Sequence, residues 1–320
     1  MIVVTGGAGF IGSCLVKLLN DKGVHDILIV DALGTGTKWK NLIGKSYLDV
    51  VHKIAFHKEL LAGEYGAEIE AIFHLGACSS TTEQNADYLL ENNYRYSRDL
   101  AEYAEARNIR FIYASSAATY GAGEVGYSDQ YFTLQPLNMY GYSKQMFDEW
   151  VLRNNLETKF VGVKFFNVFG PNEYHKGDMA SVVMKSFRQV QESGMIRLFR
   201  SYKPDYTDGE QKRDFIYVKD VVETLYAMLQ YGEVRGIYNL GTGLARSWND
   251  LANAVFRAMN RPKVIEYIEM PLALREQYQY FTEADMSKMQ QTRIYRPCMS
   301  LEDAVQDYVC EYLMKNFRHY

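Results

Sequence analysis

The chain has 320 residues, of which 48% are apolar and 23% charged, and its formal net charge is −4. Those values fit a globular protein with a sizeable core and argue against a disordered chain. A mildly acidic balance leaves no footprint for nucleic acid or an anionic membrane surface, and no run of 18 apolar residues is available to span a bilayer. Cys14, Cys78, Cys298 and Cys310 form no CxxC pair and have no histidine at metal-ligand spacing. They are expected as free, mostly buried thiols, with no metal bound.

Ile2-Val3-Val4-Thr5 reads as a buried strand from the second residue, which leaves no room for a signal peptide and predicts a cytoplasmic protein. Further strands are expected at Ile27–Asp31, Ala71–Leu75, Phe111–Ser115 and Phe160–Phe165. Helical periods lie between them, from Phe10 to about Lys22 and from Glu83 to about Arg107. This alternation predicts the α/β class, a Rossmann-type doubly wound parallel sheet. Beyond Phe166 the loops lengthen, Pro171 and Pro204 appear, and Ser201–Lys212 reads as a flexible polar excursion. Helices are expected at Val218–Gln230 and Trp248–Met259. The expected organisation is a dinucleotide-binding domain at 1–166, to which segments at about 213–240 return, with 167–320 mainly a smaller, discontinuous substrate domain.

The first strand runs into Gly6-Gly7-Ala8-Gly9-Phe10-Ile11-Gly12 and then a helix. Gly6, Gly9 and Gly12 are the glycines of a dinucleotide loop: they allow a tight turn, close backbone approach to a pyrophosphate, and close helix–strand packing. The anion would rest on free amides at the helix start. Asp31, about 20 residues on, is placed to meet a ribose 2′-hydroxyl, which favours NAD. Lys38 and Lys40 just beyond it offer cations for a 2′-phosphate, so the residues alone leave NAD and NADP open.

Tyr140-Gly-Tyr-Ser-Lys144 places a phenol and an ammonium one helical turn apart. A phenol titrates near 10, so it serves as a base at neutral pH only if nearby positive charge lowers its pKa; Lys144 and a nicotinamide ring are expected to do so. Ser116, at the end of the Phe111–Ser115 strand and 24 residues before Tyr140, lies at the sheet's carboxyl edge to orient a substrate hydroxyl.

With these three features in order, the sequence resembles the extended short-chain dehydrogenase/reductase family in its NAD-dependent epimerase/dehydratase branch, along essentially the whole chain. Gly76-Ala-Cys-Ser-Ser-Thr-Thr and His175-Lys-Gly177 are narrower motifs, resembling the heptose 6-epimerases of that branch. The resemblance implies bound NADP, with NAD the alternative, a homo-oligomer, and an ADP-heptose inverted at C6 for the inner core of lipopolysaccharide. It implies cofactor contacts at Phe10, Ile11, Asp31, Lys38, Lys53, Leu75, Gly76, Ala77, Cys78, Ser79, Asn92, Lys144, Val168 and Lys176, beside the loop glycines. Tyr140 and Lys176 would be the catalytic pair, supported by Ser116 and Lys144. Ser79, Ser116, Asn167, Asp178, Lys185, Phe199, Arg213 and Tyr278 would meet the substrate. Two acid/base groups suit an epimerase, because the ketone formed at C6 must turn before hydride returns to its other face.

The sequence departs from the pattern at Leu75, where the family has an acidic or amide residue, and at Asp178 and Lys185, where it has Ser and His. The 201–212 segment is also longer. A UDP-hexose 4-epimerase would need the same triad without Lys176. A 4,6-dehydratase would carry an Asp-Glu pair where Ala117 and Ala118 stand, and a non-enzymatic cofactor-sensing scaffold would tend to lose the tyrosine or lysine kept here.

Overall fold

Strand β1 (Ile2–Thr5) is buried along its whole length, as are β2 (Ile27–Asp31) and β4 (Ala71–His74), because helices cover both faces of a parallel sheet. The computed structural model describes residues 1–66, 68–130, 133–275 and 278–320. With β3 (Asp49–His52), β5 (Arg110–Ser116), β6 (Val161–Phe165) and β10 (Gly236–Leu240), these strands form one seven-stranded sheet in the order β3-β2-β1-β4-β5-β6-β10. Every pairing in it is parallel. That is the doubly wound order expected of a dinucleotide-binding fold, with its switch point between β1 and β4.

Helix α1 (Phe10–Asp21) buries Cys14, Leu15, Leu18 and Leu19 and packs on α7 (Val218–Gln230). Helix α2 (Lys53–Leu61) follows β3. The sequence segment expected as one helix from Glu83 starts instead at Ala86, where the Asn85 side chain accepts the Tyr88 amide at 3.0 Å. It then runs through α3 (Ala86–Leu89), a π turn at Leu90–Arg95 and α4 (Tyr96–Ala106). A π turn adds a residue and shifts the facing side chains, a common device beside functional sites. Here it brings Asn92 and Asn93 to the loop after β4.

The rest builds a smaller layer. Short strands β7 (Asn167–Phe169), β9 (Lys212–Tyr217) and β11 (Ala245–Ser247) make one sheet, and β8 (Ile196–Phe199) pairs with β12 (Ile265–Ile268). Helices α6 (Val182–Ser193) and α8 (Trp248–Ala258) pack in this layer, while α5 (Met139–Arg153) packs on β5 of the large sheet. Thus α7 and β10 go to the large sheet, while β9 stays in the small one.

The polar segment expected as a flexible excursion is exposed only in part. Its turn is closed by the Ser201 amide on Asp208 Oδ1 at 2.8 Å and fastened to α8 by Asn249 Nδ2 on the Asp208 carbonyl at 3.0 Å. All four cysteines are free; Cys14 is buried, whereas the other three are only partly covered. Among the described residues there is no metal-binding cluster and no helix long and apolar enough to cross a membrane.

Candidate active site

The glycine loop is held by close approach. Gly6 has φ +67°, and a Cβ there would come within 2.7 Å of the Gly76 backbone; one on Gly12 would lie 2.2 Å from the Gly6 carbonyl oxygen. Gly9 caps α1 without a side chain, and no acidic residue occupies the first turn. The first amides of α1 are therefore left to an anion, and a dinucleotide pyrophosphate fits this cradle. At its side Asp31 is 8% exposed. It accepts from the Ala8 amide at 2.9 Å, the Ala32 amide at 2.7 Å and Lys38 Nζ at 2.6 Å.

The facing wall is the loop Leu75–Ser79 after β4. Thr5 Oγ1 accepts the Gly76 amide at 3.1 Å and bonds His74 Nδ1 at 2.8 Å. His74 Nε2 meets Ser97 Oγ at 2.7 Å, and Ser97 Oγ donates to the Asn93 carbonyl at 2.6 Å. Ser97 has spent its proton there, so the imidazole donates from Nε2 and accepts at Nδ1. Burial pushes the His74 pKa down to about 3, with Lys144 adding to the effect, so the ring is neutral. Asn93 then grips both the amide (2.8 Å) and the carbonyl (2.9 Å) of Cys78, and donates to Ser143 of α5 at 3.1 Å. Lys53 bonds Asn92 Oδ1, and burial lowers its pKa against the pull of Asp31.

Ser116 ends β5 and caps the following turn, its Oγ accepting the Ala118 amide at 3.1 Å. Helix α5 begins under Asn138, whose Oδ1 accepts the Gly141 amide at 2.8 Å. Gly141 is needed there because a Cβ would stand 2.6 Å from the Ala118 carbonyl oxygen. This close seat sets Tyr140 and Ser116 on the wall of one cavity. Burial raises the Tyr140 pKa, and the Ser116 contact opposes that shift. Lys144 Nζ donates to the Ala114 carbonyl at 2.9 Å and lines the same cavity as Tyr140. Burial brings Lys144 itself down to about 8, with Asp148 holding it up.

Beneath them, Lys164 of β6 and Asp148 of α5 form a fully buried ion pair at 2.6 Å. Asp148 also accepts from Ser115 Oγ at 2.6 Å and Tyr113 OH at 3.0 Å, and Lys164 donates to Thr119 Oγ1 at 2.8 Å. Strand β5, the Ser116 turn and α5 are thereby tied at one point.

The second candidate acid/base group, Lys176, sits on an irregular turn, Tyr174–Met179, in which Gly177 has φ +53°. Its ammonium lies 5.3 Å from the centroid of the Phe10 ring. Burial lowers its pKa and Glu173 opposes this. Asn41, 1% exposed, joins this turn to the glycine loop: Nδ2 donates to the Ala8 and Asn172 carbonyls, both at 3.0 Å, and Oδ1 meets His319 Nδ1 at 2.9 Å.

One cavity of about 780 Å³ takes in these pieces. Its lining includes Gly6, Gly9, Phe10, Ile11, Gly12, Asp31, Lys38, Lys53, Leu75, Gly76, Ala77, Cys78, Ser79 and Asn92 on the dinucleotide side. Ser116, Tyr140, Lys144, Asn167, Val168 and Lys176 line it as well. A glycine cradle, an aspartate at the second strand and the Ser116–Tyr140–Lys144 group in one cavity, on this sheet order, match a known architecture. A family model described as the NAD dependent epimerase/dehydratase family matches residues 2–241. The chain belongs to that family. A nicotinamide cofactor goes with membership, and the cradle fits one.

Within the family, the chain is 54% identical over 316 residues to an ADP-L-glycero-D-manno-heptose-6-epimerase of Nitratidesulfovibrio vulgaris (strain DP4), covering 98% of both chains. It is 48% identical over 327 residues to the protein of that name from Fusobacterium nucleatum, again covering 98% of each. The crystal structure of the Helicobacter pylori ADP-L-glycero-D-manno-heptose-6-epimerase superposes with a TM-score of 0.83 at 29% identity, over 97% of this chain and 95% of that one. A Thermus thermophilus UDP-glucose 4-epimerase in complex with NAD, 23% identical with a TM-score of 0.77, shares the fold over 96% and 97% of the two chains.

The remaining residues expected at this epimerase-family site lie outside the cavity lining. Asp178 and Lys185 are exposed, and Lys185 Nζ donates to the Asp178 carbonyl at 2.6 Å. Phe199, Arg213 and Tyr278 are outside that lining as well. Arg213 is linked to it: its guanidinium lies 5.7 Å from the Trp248 ring centroid and 5.2 Å from that of Tyr278, and Trp248 Nε1 donates to Tyr278 OH at 2.8 Å. Trp248, Tyr88, Tyr96, His175 and Ser181 line the cavity and went unnoticed in the sequence. Of these, His175 had a signal, since it opens the His-Lys-Gly motif; the other four belong to no spaced pattern.

Proposed function

We propose that the protein is an ADP-heptose 6-epimerase that interconverts ADP-D-glycero-D-manno-heptose and ADP-L-glycero-D-manno-heptose, with tightly held NADP, in the cytosolic synthesis of the lipopolysaccharide inner core. The observation that carries the reading is that Tyr140 and Lys176 open on one cavity from different elements, in a chain about half identical to relatives bearing that name. A 4-epimerase reading gains nothing from the site, since its chemistry has no use for Lys176.

The cofactor, when bound, accepts hydride from the sugar carbon and gives it back. Everything else falls to the protein's own residues. Gly6, Gly9 and Gly12 bring backbone amides to the pyrophosphate. Lys38 neutralises Asp31, so that the carboxylate no longer repels a 2′-phosphate, and Lys38 and Lys53 offer it cations; this supports NADP over NAD. Ser116 orients the substrate hydroxyl toward the Tyr140 phenol. Tyr140 exchanges a proton with the sugar oxygen in one orientation, and Lys176 does so after the ketone has turned. Both are partly buried in the wall of one cavity, where a proton can pass to the sugar oxygen.

The test is to incubate the purified protein with ADP-D-glycero-D-manno-heptose and follow the C6 configuration by NMR. Conversion to a mixture with the L-glycero form, without added cofactor, is the expected result. Absence of conversion even with NADP supplied would refute the substrate and direct the search to UDP- and dTDP-hexoses.

A further inference from the structure

The Lys176 turn sits in a loop that regular structure does not support, yet its ends are fastened by a single side chain. Glu173 is fully buried. Its carboxylate accepts the Ser181 amide at 2.5 Å, the Ser181 hydroxyl at 2.6 Å and the Gly170 amide at 3.4 Å. Gly170 lies directly after β7, and Ser181 caps α6 by accepting the Met184 amide at 3.3 Å. One carboxylate thus joins the end of a strand to the start of a helix and closes the loop between them. Inside it, the Lys176 amide donates to the Glu173 carbonyl at 3.0 Å.

A buried carboxylate is costly unless hydrogen-bonded and near a cation. Three donors meet the first need; burial still raises the Glu173 pKa, and the Ser181 bonds and then the Lys176 charge oppose that shift, as Glu173 in turn opposes the lowering of Lys176. The other groups facing Lys176 are Lys185 from α6, which repels it, His175 beside it on the turn, and the Phe10 ring from α1. Tyr308, from the C-terminal helix Leu301–Tyr308, faces Glu173 on its far side.

We propose that Glu173 is the positioning residue of the second acid/base group: it staples the 170–181 loop at both ends and holds a negative charge near the Lys176 ammonium. The proposal rests on the reading of Lys176 as an acid/base group. Its sign follows directly. An anion beside an ammonium raises the ammonium's pKa, so removing the charge lets burial lower it further.

The test uses the full chain with its cofactor and measures turnover of ADP-heptose against pH. Glu173→Gln keeps the shape and removes the charge. The pH limb belonging to Lys176 should then move to lower pH by about one unit, while cofactor binding is unchanged. Glu173→Asp, which keeps the charge, should return most of that shift. A lower turnover with an unmoved profile would make Glu173 merely structural and overturn the proposal, as would unchanged turnover and profile. Lys176→Met separates the two readings. If it retains turnover, the acid/base role of Lys176 fails; if it is inactive while Glu173→Gln leaves the profile unmoved, only the role of Glu173 fails. Should Glu173→Gln not fold, Ser181→Ala removes one bond to the carboxylate and keeps its charge. It should lower turnover several-fold without loss of cofactor, and full turnover would overturn the staple.

Discussion

The two proposed acid/base groups are held in opposite ways. Tyr140 stands in the first turn of α5, whose 15 residues pack along β5, and a buried ion pair locks that helix to the sheet. Lys176 stands on a turn that includes a left-handed glycine, and side-chain hydrogen bonds to Glu173 and Asn41 fasten its surroundings. Regular structure fixes a side chain through many weak, repeated contacts, whereas an irregular turn depends on a few polar ones. A fixed base paired with a group on a separately fastened turn suits a reaction in which one oxygen must meet two partners in succession.

The helix side should break sharply. Asp148→Ala leaves Lys164 buried without its counter-charge, which should cost about 3–5 kcal/mol of stability. Denaturant unfolding would register this as a lower midpoint. A normal midpoint would mean that the pair does not tie β5 to α5. Tyr140→Phe tests the chemistry without that loss. Folding and cofactor binding should persist while turnover falls by about a hundredfold or more. A variant with nearly full turnover would remove Tyr140 from the mechanism.

The same contrast decides what the sequence reveals. The sheet, the glycine loop and the Tyr140–Lys144 pair announce themselves because strands, βα turns and helices impose fixed spacings on residue types. Ser116 is legible because it ends a strand. Strands such as β3 and β11 escape, since three or four residues with mixed exposure leave no alternation to count. Glu173 and Asn41 are invisible for a different reason. Asn41 bonds Ala8, Asn172 and His319, which lie far along the chain, whereas the partners of Glu173 (Gly170 and Ser181) are close in sequence but sit in an irregular loop; neither kind of contact leaves a local period. Lys176 is known as a candidate only through resemblance. Asp178 and Lys185 come by the same route; both are exposed, and Lys185 Nζ bonds the Asp178 carbonyl.

Smaller effects sharpen the comparison at the cofactor end. Lys38→Ala leaves Asp31 with its two amide donors but without its cation. A 2′-phosphate would then meet an uncompensated carboxylate and lose a charge-assisted partner. Binding of NADP should weaken by about tenfold while NAD binding changes little. Equal weakening of both, measured by fluorescence titration, would place Lys38 away from the 2′ position.

The gentlest probe is pH, read through the two histidines that serve the two sides. His74, under the sheet edge, is held neutral down to about pH 3, and His175, on the Lys176 turn, down to about 4, in both cases chiefly by burial. An unfolded histidine takes up its proton near 6.5. Below that pH the unfolded chain therefore binds more protons than the folded one, and stability falls as pH falls, from about 6.5 toward the folded values. For His74 the loss should reach about 2 kcal/mol at pH 5. His175 is more open to solvent and should contribute less. His74→Gln can still bridge Thr5 and Ser97 but has no proton to take up. It should flatten the fall between pH 6.5 and 5 in denaturant midpoints, and His175→Gln should leave most of it. The reverse ranking would mean that the turn, and not the sheet edge, is the more tightly closed of the two regions.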